Sequence, residues 1–123
     1  MIRPLPEHLE KGVKAEIAAR HYLERAGYQF LRKNYRTPYG EVDLIMKNDD
    51  TLVFIEVRYR KNGRFGQAEE TIGSRKQSKL LASAEHFLQQ NSIGNLGCRF
   101  DIVAITGTLR DDNISWIRNA IQA

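Results

Sequence analysis

Residues 40–60, which read GEVDLIMKNDDTLVFIEVRYR, decide the fold of this chain. The first half alternates in polarity, so that Val42, Leu44 and Met46 share one face of an extended strand. The second half, from Thr51 onward, alternates as well. The Asn-Asp-Asp sequence between the halves is typical of a tight turn. The stretch therefore predicts a β-hairpin.

The register of this hairpin follows from its turn. Folding about the two aspartates of the turn sets Leu44 opposite Ile55, with apolar pairs on one face. A slip of one residue would turn these side chains to the opposite face, so this register is favoured. The same register places Asp43 directly opposite Glu56.

Two facing carboxylates need an explanation. Their Cβ atoms would lie about 5 Å apart, and like charges there destabilise a sheet. Three solutions are open: one acid is protonated, a cation of the protein pairs with them, or they share a metal ion. Glu16, on a predicted first helix, would complete a cluster of oxygen ligands suited to Mg²⁺ or Mn²⁺. The alternative is a solvated face, in which Glu41 lies opposite Arg58 and each acid finds a neighbouring arginine.

The remaining segments complete an α/β pattern. Residues 9–26 predict a helix whose apolar face includes Val13 and Ile17, with Gly27 as its cap. A second helix is predicted from Ser74, where Ser74 and Gln77 form a capping box. The other predicted elements are an extended segment at 28–36, a loop at 61–73, and strands at 99–106 and 114–118. The order of helix, three strands, helix and two strands predicts a mixed sheet with helices packed on it.

Length and composition fit one domain. The chain has 123 residues, a net charge of +4 and one cysteine, which excludes a multi-cysteine zinc site. Residues 1–8 hold two prolines and predict a loose arm before a domain at 9–123. The sequence shows neither a membrane-spanning segment nor a secretion signal, so we expect a cytoplasmic protein.

Basic and aromatic side chains flank the acidic pair. Cations before the hairpin, after it and at the start of the second helix are candidates for binding phosphate groups. The alternative is a solubilising basic surface. These residues are Arg32, Lys33, Arg36, Arg60, Lys61, Arg64, Arg75, Lys76 and Lys79. The nearby aromatic residues, which are candidates for stacking on unpaired bases or for packing at the rim, are Tyr35, Tyr39, Tyr59 and Phe65.

An ordered set of motifs carries a family resemblance. The motifs are GEVDLI at 40–45, VFIEVRYR at 53–60, Phe-Gly at 65–66, Lys-Gln at 76–77 and RFDIV at 99–103. Together they resemble the YraN family, a poorly characterised bacterial family with a restriction-endonuclease-like core related to archaeal Holliday junction resolvases. The resemblance covers residues 12–106 and implies a single-domain αβββαβ core with a mixed central sheet flanked by helices.

The resemblance also implies a site. Nucleases of this superfamily use an acid on the first helix, an Asp on the second strand and Glu-x-Lys on the third, which here are Glu16, Asp43 and Glu56 with Arg58 at the lysine position. These acids would bind Mg²⁺ or Mn²⁺, with the carbonyl of Val57 as a further ligand. Gln77 is also expected at this site, since a polar residue of the second helix often faces it in this superfamily.

The implied activity is metal-dependent cleavage of DNA, with branched DNA as a candidate substrate and a homodimer as the candidate assembly. Arg58 departs from the superfamily pattern, which has a lysine at this position. An arginine cannot act as a base, so the catalytic role of this position is in question. Two alternatives therefore stay open. One is a nucleic-acid-binding or adaptor module that keeps the nuclease fold without cleavage. The other is a scaffold whose acids are merely ion-paired.

Overall fold

The computed structural model describes residues 7–61, 72–91 and 96–121, with side chains described from residue 10 onward. The elements are α1 (Glu7–Arg25), β1 (Gln29–Thr37), β2 (Gly40–Asn48), β3 (Thr51–Arg60), α2 (Ser74–Gln90), β4 (Gly97–Thr106) and β5 (Ile114–Ile117), with a 3₁₀ turn at Asp111–Asn113 before β5. This order confirms the predicted α/β fold with its αβββαβ core. Residues 1–6 of the predicted arm and residues 62–71 of the predicted loop lie outside the described residues.

The five strands form one mixed sheet in the order β1-β2-β3-β4-β5. Neighbouring strands are antiparallel, except that β3 and β4 run parallel from Thr51 opposite Gly97 to Arg60 opposite Thr106. A parallel pair needs a crossover connection, and α2 lies in it.

Each face of the sheet carries a helix and its own apolar core. On one face, Leu80, Ala84 and Phe87 of α2 pack in a buried cluster with residues such as Phe54 and Ile102. On the other face, α1 packs on a second buried cluster that includes Leu44, Met46, Val53, Ile55 and Val103. The central strands are therefore covered on both faces, as mixed sheets with crossover helices require.

The face that α1 buries differs from the prediction. Val13 and Ile17 are 46% and 49% exposed, whereas Ala15, Ala19 and Leu23 are buried against the sheet. The two alanines have only a methyl group beyond the backbone, so they let the helix approach the strands closely. Gly27 follows the helix with φ +95°, which confirms the predicted left-handed cap.

The β2–β3 hairpin has the predicted register for half of its length and then opens. The paired residues run from Asn48 opposite Thr51 to Leu44 opposite Ile55. Beyond that point, the backbone N–H of Val57 donates to Asp43 Oδ2 at 2.8 Å. Val42 packs in the α2-side cluster, so the prediction that it would share a face with Leu44 and Met46 is wrong.

The start of α2 also differs from the prediction. Gly73 occupies the cap position and no side chain caps the helix, so the expected capping box of Ser74 and Gln77 does not form. The Gln77 side chain instead donates from Nε2 to the carbonyl oxygen of Ile72 at 2.7 Å. This bond ties the first turn of the helix to the residue before its cap.

A buried carboxylate holds the end of the chain to the sheet. Asp101 on β4 is 1% exposed and forms a two-bond pair with Arg99, at 2.9 and 3.0 Å. It also accepts hydrogen bonds from Trp116 Nε1 at 2.8 Å and from the backbone N–H of Asn119 at 2.9 Å. Arg99 in turn donates to the hydroxyl of Tyr28. The network joins β4, β5 and the segment after α1.

Neither α1 nor α2, the helices of the described part of the chain, has the combination of length and apolar composition needed to cross a membrane.

Candidate active site

The site lies where the β2–β3 hairpin opens. Glu56 of β3 is only 6% exposed and faces α2. Its Oε2 atom is 2.7 Å from Lys76 Nζ and 3.7 Å from Arg58 Nε. Lys76 lies in the first turn of α2, so the crossover helix brings a cation directly to the acid of β3.

Asp43 is the most perturbed acid of the site. Its pKa is raised to about 7, chiefly by burial and also by the negative charges of Glu56, Glu16 and Glu41, whereas the hydrogen bond from the Val57 N–H lowers it. A carboxyl with this pKa exchanges its proton near neutral pH. Such perturbation by burial and like charge in a cleft is typical of functional carboxylates.

Glu16 of α1 belongs to the same group of acids. With the amide of Asn34 oriented to satisfy its donors, Nδ2 of Asn34 donates to Glu16 Oε1 and to Glu41 Oε1, each at 3.1 Å. Burial and the charge of Glu41 raise the pKa of Glu16, while hydrogen bonds with Asn34 and Asp43 oppose the rise. Glu16 therefore interacts with Asp43 and with Glu41, but it lines a neighbouring cavity rather than the one that Asp43 and Glu56 share.

Two of the three solutions left open by the sequence appear in this geometry. The raised pKa of Asp43 favours its protonation, and Lys76 supplies a cation of the protein to Glu56. Within the described residues, no three side chains of His, Cys, Asp or Glu form a group arranged to hold a metal ion. The donor chemistry nevertheless fits a hard divalent cation, because one or two carboxylates are the usual protein ligands of Mg²⁺.

An open cleft of about 660 Å³ lies over these acids. One wall is acidic, with Glu41, Asp43 and Glu56, and the opposite wall is the start of α2. The α2 wall presents Arg75, Lys76 and Lys79, all of them exposed. A cleft with carboxylates at its base and cations along its rim suits a phosphate-bearing ligand.

A second cavity, of about 550 Å³, shares the acids with this cleft. It is lined by Asp43, Glu56, Val57, Arg58, Tyr59, Arg60 and Lys76. Val57, predicted as a backbone ligand, is therefore at the site, and its N–H is the group bonded to Asp43.

The predicted phosphate-binding residues divide into three groups. Arg75, Lys76, Lys79 and Arg60 line the cavities, and exposed Lys61 follows Arg60 directly. Arg36 lies beside the cleft, with its guanidinium 3.9 Å from Glu41, whereas the side chain of Gln77 is bonded to the carbonyl oxygen of Ile72. Arg64 and Phe65 lie outside the described residues.

Sequence reasoning missed two residues of the site. Asn34 adopts a left-handed conformation with φ 50°, opposite the point where β2 departs from regular pairing at Asp43. Asparagine tolerates this conformation, so an Asn inside an otherwise regular strand was the available signal. The second residue is Glu41. The predicted register placed it opposite Arg58, whereas in the structure it lies beside Arg36 and Asn34.

Comparisons with known proteins agree with the sequence resemblance. A chain from Nitrosococcus oceani described as a UPF0102 protein is 47% identical over 116 residues, covering 94% of both chains. Similar proteins from Nitrosomonas europaea and Pseudomonas fluorescens are 48% and 42% identical, covering 89% and 98% of this chain and 92% and 99% of their own. The sequence model of the family described as uncharacterised protein family UPF0102 matches residues 15–105, most of this chain. The chain therefore belongs to UPF0102, which is the YraN family that its motifs resemble.

Proposed function

We propose that this protein is a metal-dependent endonuclease that acts on DNA and hydrolyses phosphodiester bonds. One observation carries the proposal: Asp43 and Glu56, at the open end of the hairpin, line one cleft together with the basic start of α2. Lys76 and Arg58 offset the charge of Glu56, whereas the pKa of Asp43 is raised to about 7. A bound cation would stabilise the ionised form of Asp43 beside Glu56.

Asp43 and Glu56 would hold Mg²⁺ or Mn²⁺, with Glu16 and the carbonyl of Val57 completing the set. The bound ion would lower the pKa of a water molecule and offset charge on the phosphate. The protein contributes the positions of its acids, which are fixed by the Val57 N–H bond to Asp43 and by the Asn34 bond to Glu16.

Lys76 would take the role that the family resemblance implies for a lysine two residues after Glu56. Arg58 occupies that position in the sequence and lies 3.7 Å from Glu56, but its guanidinium is too basic to accept a proton. Lys76 reaches the same carboxylate from α2 at 2.7 Å. We therefore assign Lys76 to orient the attacking water or the phosphate, and Arg58 to donate hydrogen bonds to phosphate oxygens.

A second candidate function is a nucleic-acid-binding module without cleavage. It is favoured by the pairing of Glu56 with both Lys76 and Arg58, which neutralises that acid without a metal. In this case the basic rim binds DNA and the acids serve only the fold. Both candidate functions involve binding of DNA. Only the endonuclease cleaves it, and only the endonuclease needs Asp43 for cleavage.

The first test is cleavage of linear, nicked and four-way DNA with and without Mg²⁺ or Mn²⁺. Asp43→Asn keeps the acceptor for the Val57 N–H and removes the charge, so we expect it to reduce metal-dependent cleavage at least about a hundredfold. Asp112→Asn, in the exposed turn before β5, is the matched control and should cleave as wild type does.

The outcome separates the two functions. DNA binding that weakens with salt, without cleavage of any substrate, would support the binding module and refute the endonuclease. Cleavage that persists in the Asp43→Asn variant would also refute the assigned site.

Metal binding can be tested without activity. Millimolar Mn²⁺ should raise the melting temperature of the wild type by about 5 °C if its dissociation constant is tenfold lower than the concentration used. The shift should vanish in Asp43→Asn. It should increase in Lys76→Ala, because the ammonium that contacts Glu56 no longer competes with the metal. Equal melting temperatures with and without Mn²⁺ in all three proteins would argue against a metal site.

A further inference from the structure

We propose that Tyr39 is a stacking platform for an unpaired base of single-stranded DNA, held beside the basic wall of the cleft. The inference rests on the proposed binding of DNA and adds the class of substrate, a strand with bases free to unstack. It follows from the position, exposure and surroundings of the turn between β1 and β2.

The turn is anchored to α2 by its first residue. The Thr37 hydroxyl accepts hydrogen bonds from the N–H groups of Tyr39 and Gly40, at 3.0 and 3.2 Å. The same hydroxyl lies 3.0 Å from the buried hydroxyl of Ser83 on α2. The backbone that carries Tyr39 is therefore fixed relative to the helix.

The anchor places Tyr39 next to the cleft. A Cβ on Gly40 would lie 3.4 Å from Lys79 Cβ and 3.6 Å from Ser83 Oγ, so the turn rests directly on α2. Gly40 and Lys79 both line the cleft over the acids. Tyr39 directly precedes Gly40 in this turn, and its ring contacts His86, which lies further along α2 than Lys79.

Among the described aromatic residues near the cleft, Tyr39 is the one exposed to solvent. It is 55% exposed, and its contact with the ring of His86 is of the edge type, at 6.5 Å between centroids. Tyr35, four residues earlier, lies 2.8 Å from His86 Nδ1 in a hydrogen bond and packs against Phe87. Tyr35 therefore fixes His86, and His86 supports Tyr39.

An exposed aromatic beside cations indicates a particular ligand. Lys76 and Lys79 supply charge for phosphates, and the aromatic ring supplies a surface for a base. Bases within a duplex are stacked on each other and do not reach such a ring. The combination favours a single strand, a flap or the unpaired part of a branched DNA.

The test compares binding of labelled oligonucleotides in the absence of divalent ions, by fluorescence anisotropy. The ligands are an oligothymidylate, an abasic oligomer of the same length and a duplex. Tyr39→Ala should weaken binding of the oligothymidylate by roughly five- to a hundredfold and leave the abasic oligomer unaffected. Tyr39→Phe keeps the ring and should bind as the wild type does. Lys79→Ala should weaken both single strands equally.

The results distinguish this inference from the proposed function. If wild type binds the single strand and Tyr39→Ala binds it equally well, the stacking role is refuted and DNA binding stands. If wild type binds no oligonucleotide, both fail. Light scattering on the same samples tests whether Tyr39 contacts a second copy of the chain instead of a base. A dimer that is lost in Tyr39→Ala, with unchanged DNA binding, would also overturn the inference.

Discussion

Replacing Asp101 by alanine is expected to lower the free energy of unfolding by about 3–5 kcal/mol, the usual cost of removing one partner of a buried ion pair. The substitution leaves Arg99 without its anion and removes the acceptor for Trp116 Nε1 and for the Asn119 N–H. The hydrogen bond with Asp101 is also the main cause that raises the pKa of Arg99. This loss is a large part of the stability of a small domain.

Urea unfolding followed by the fluorescence of Trp116, the single tryptophan, measures this loss. The control is Asp112→Ala, whose side chain is 82% exposed and lies 3.6 Å from Arg110. That exposed pair should change the free energy of unfolding by less than about 0.5 kcal/mol. An Asp101→Ala protein as stable as the control would show that the network does not hold the end of the chain.

Stability is also expected to fall as the pH rises from about 4 to about 7. The ordinary pKa of 3.8 applies to Asp43 in the unfolded chain, and burial raises it to about 7 in the folded one. Between these two pKa values the folded protein binds more protons than the unfolded chain does. The contribution of Asp43 to stability is therefore complete below the lower pKa and lost above the higher one. The loss is about 4 kcal/mol for a difference of this size.

Asp43→Asn removes this titration, so the variant should be more stable than wild type at pH 8 and similar to it at pH 4. Urea unfolding at both values, with a chelator present, checks this. The free energy of unfolding of the variant should still depend on pH to some extent, because burial also raises the pKa of Glu16. Asp112→Asn, in the exposed turn before β5, is the control and should keep the wild-type pH dependence. A parallel pH dependence in Asp43→Asn and wild type would contradict the raised pKa.

The hairpin was predictable because its determinants are local. Alternation and turn residues set the register, and the structure confirms it up to Leu44 opposite Ile55. The opening beyond that pair was not predictable, since it depends on Asn34 of β1 and on the Asp43 side chain replacing a strand partner. The buried face of α1 was predicted wrongly because hydrophobicity favours Val13 and Ile17, whereas close packing on the sheet selects alanines.

The candidate site shows the same division. The acids Asp43 and Glu56 were found from sequence, because they belong to one hairpin. The contact of Lys76 with Glu56 depends on where α2 crosses the sheet, a distance in space that no spacing in the sequence encodes. The sequence analysis did not place Glu41 in the site for a similar reason, since its neighbours come from β1 and α1.

The edge strand β1 has a consequence for behaviour in concentrated solution. Its pairing with β2 is interrupted by an irregularity between Phe30 and Arg32. Arg32, Lys33 and Arg36 along it are exposed. An irregular, positively charged edge is a poor template for another chain to extend the sheet. We therefore expect these two arginines and this lysine to disfavour fibrillar aggregation, in addition to any contact that they make with phosphate groups.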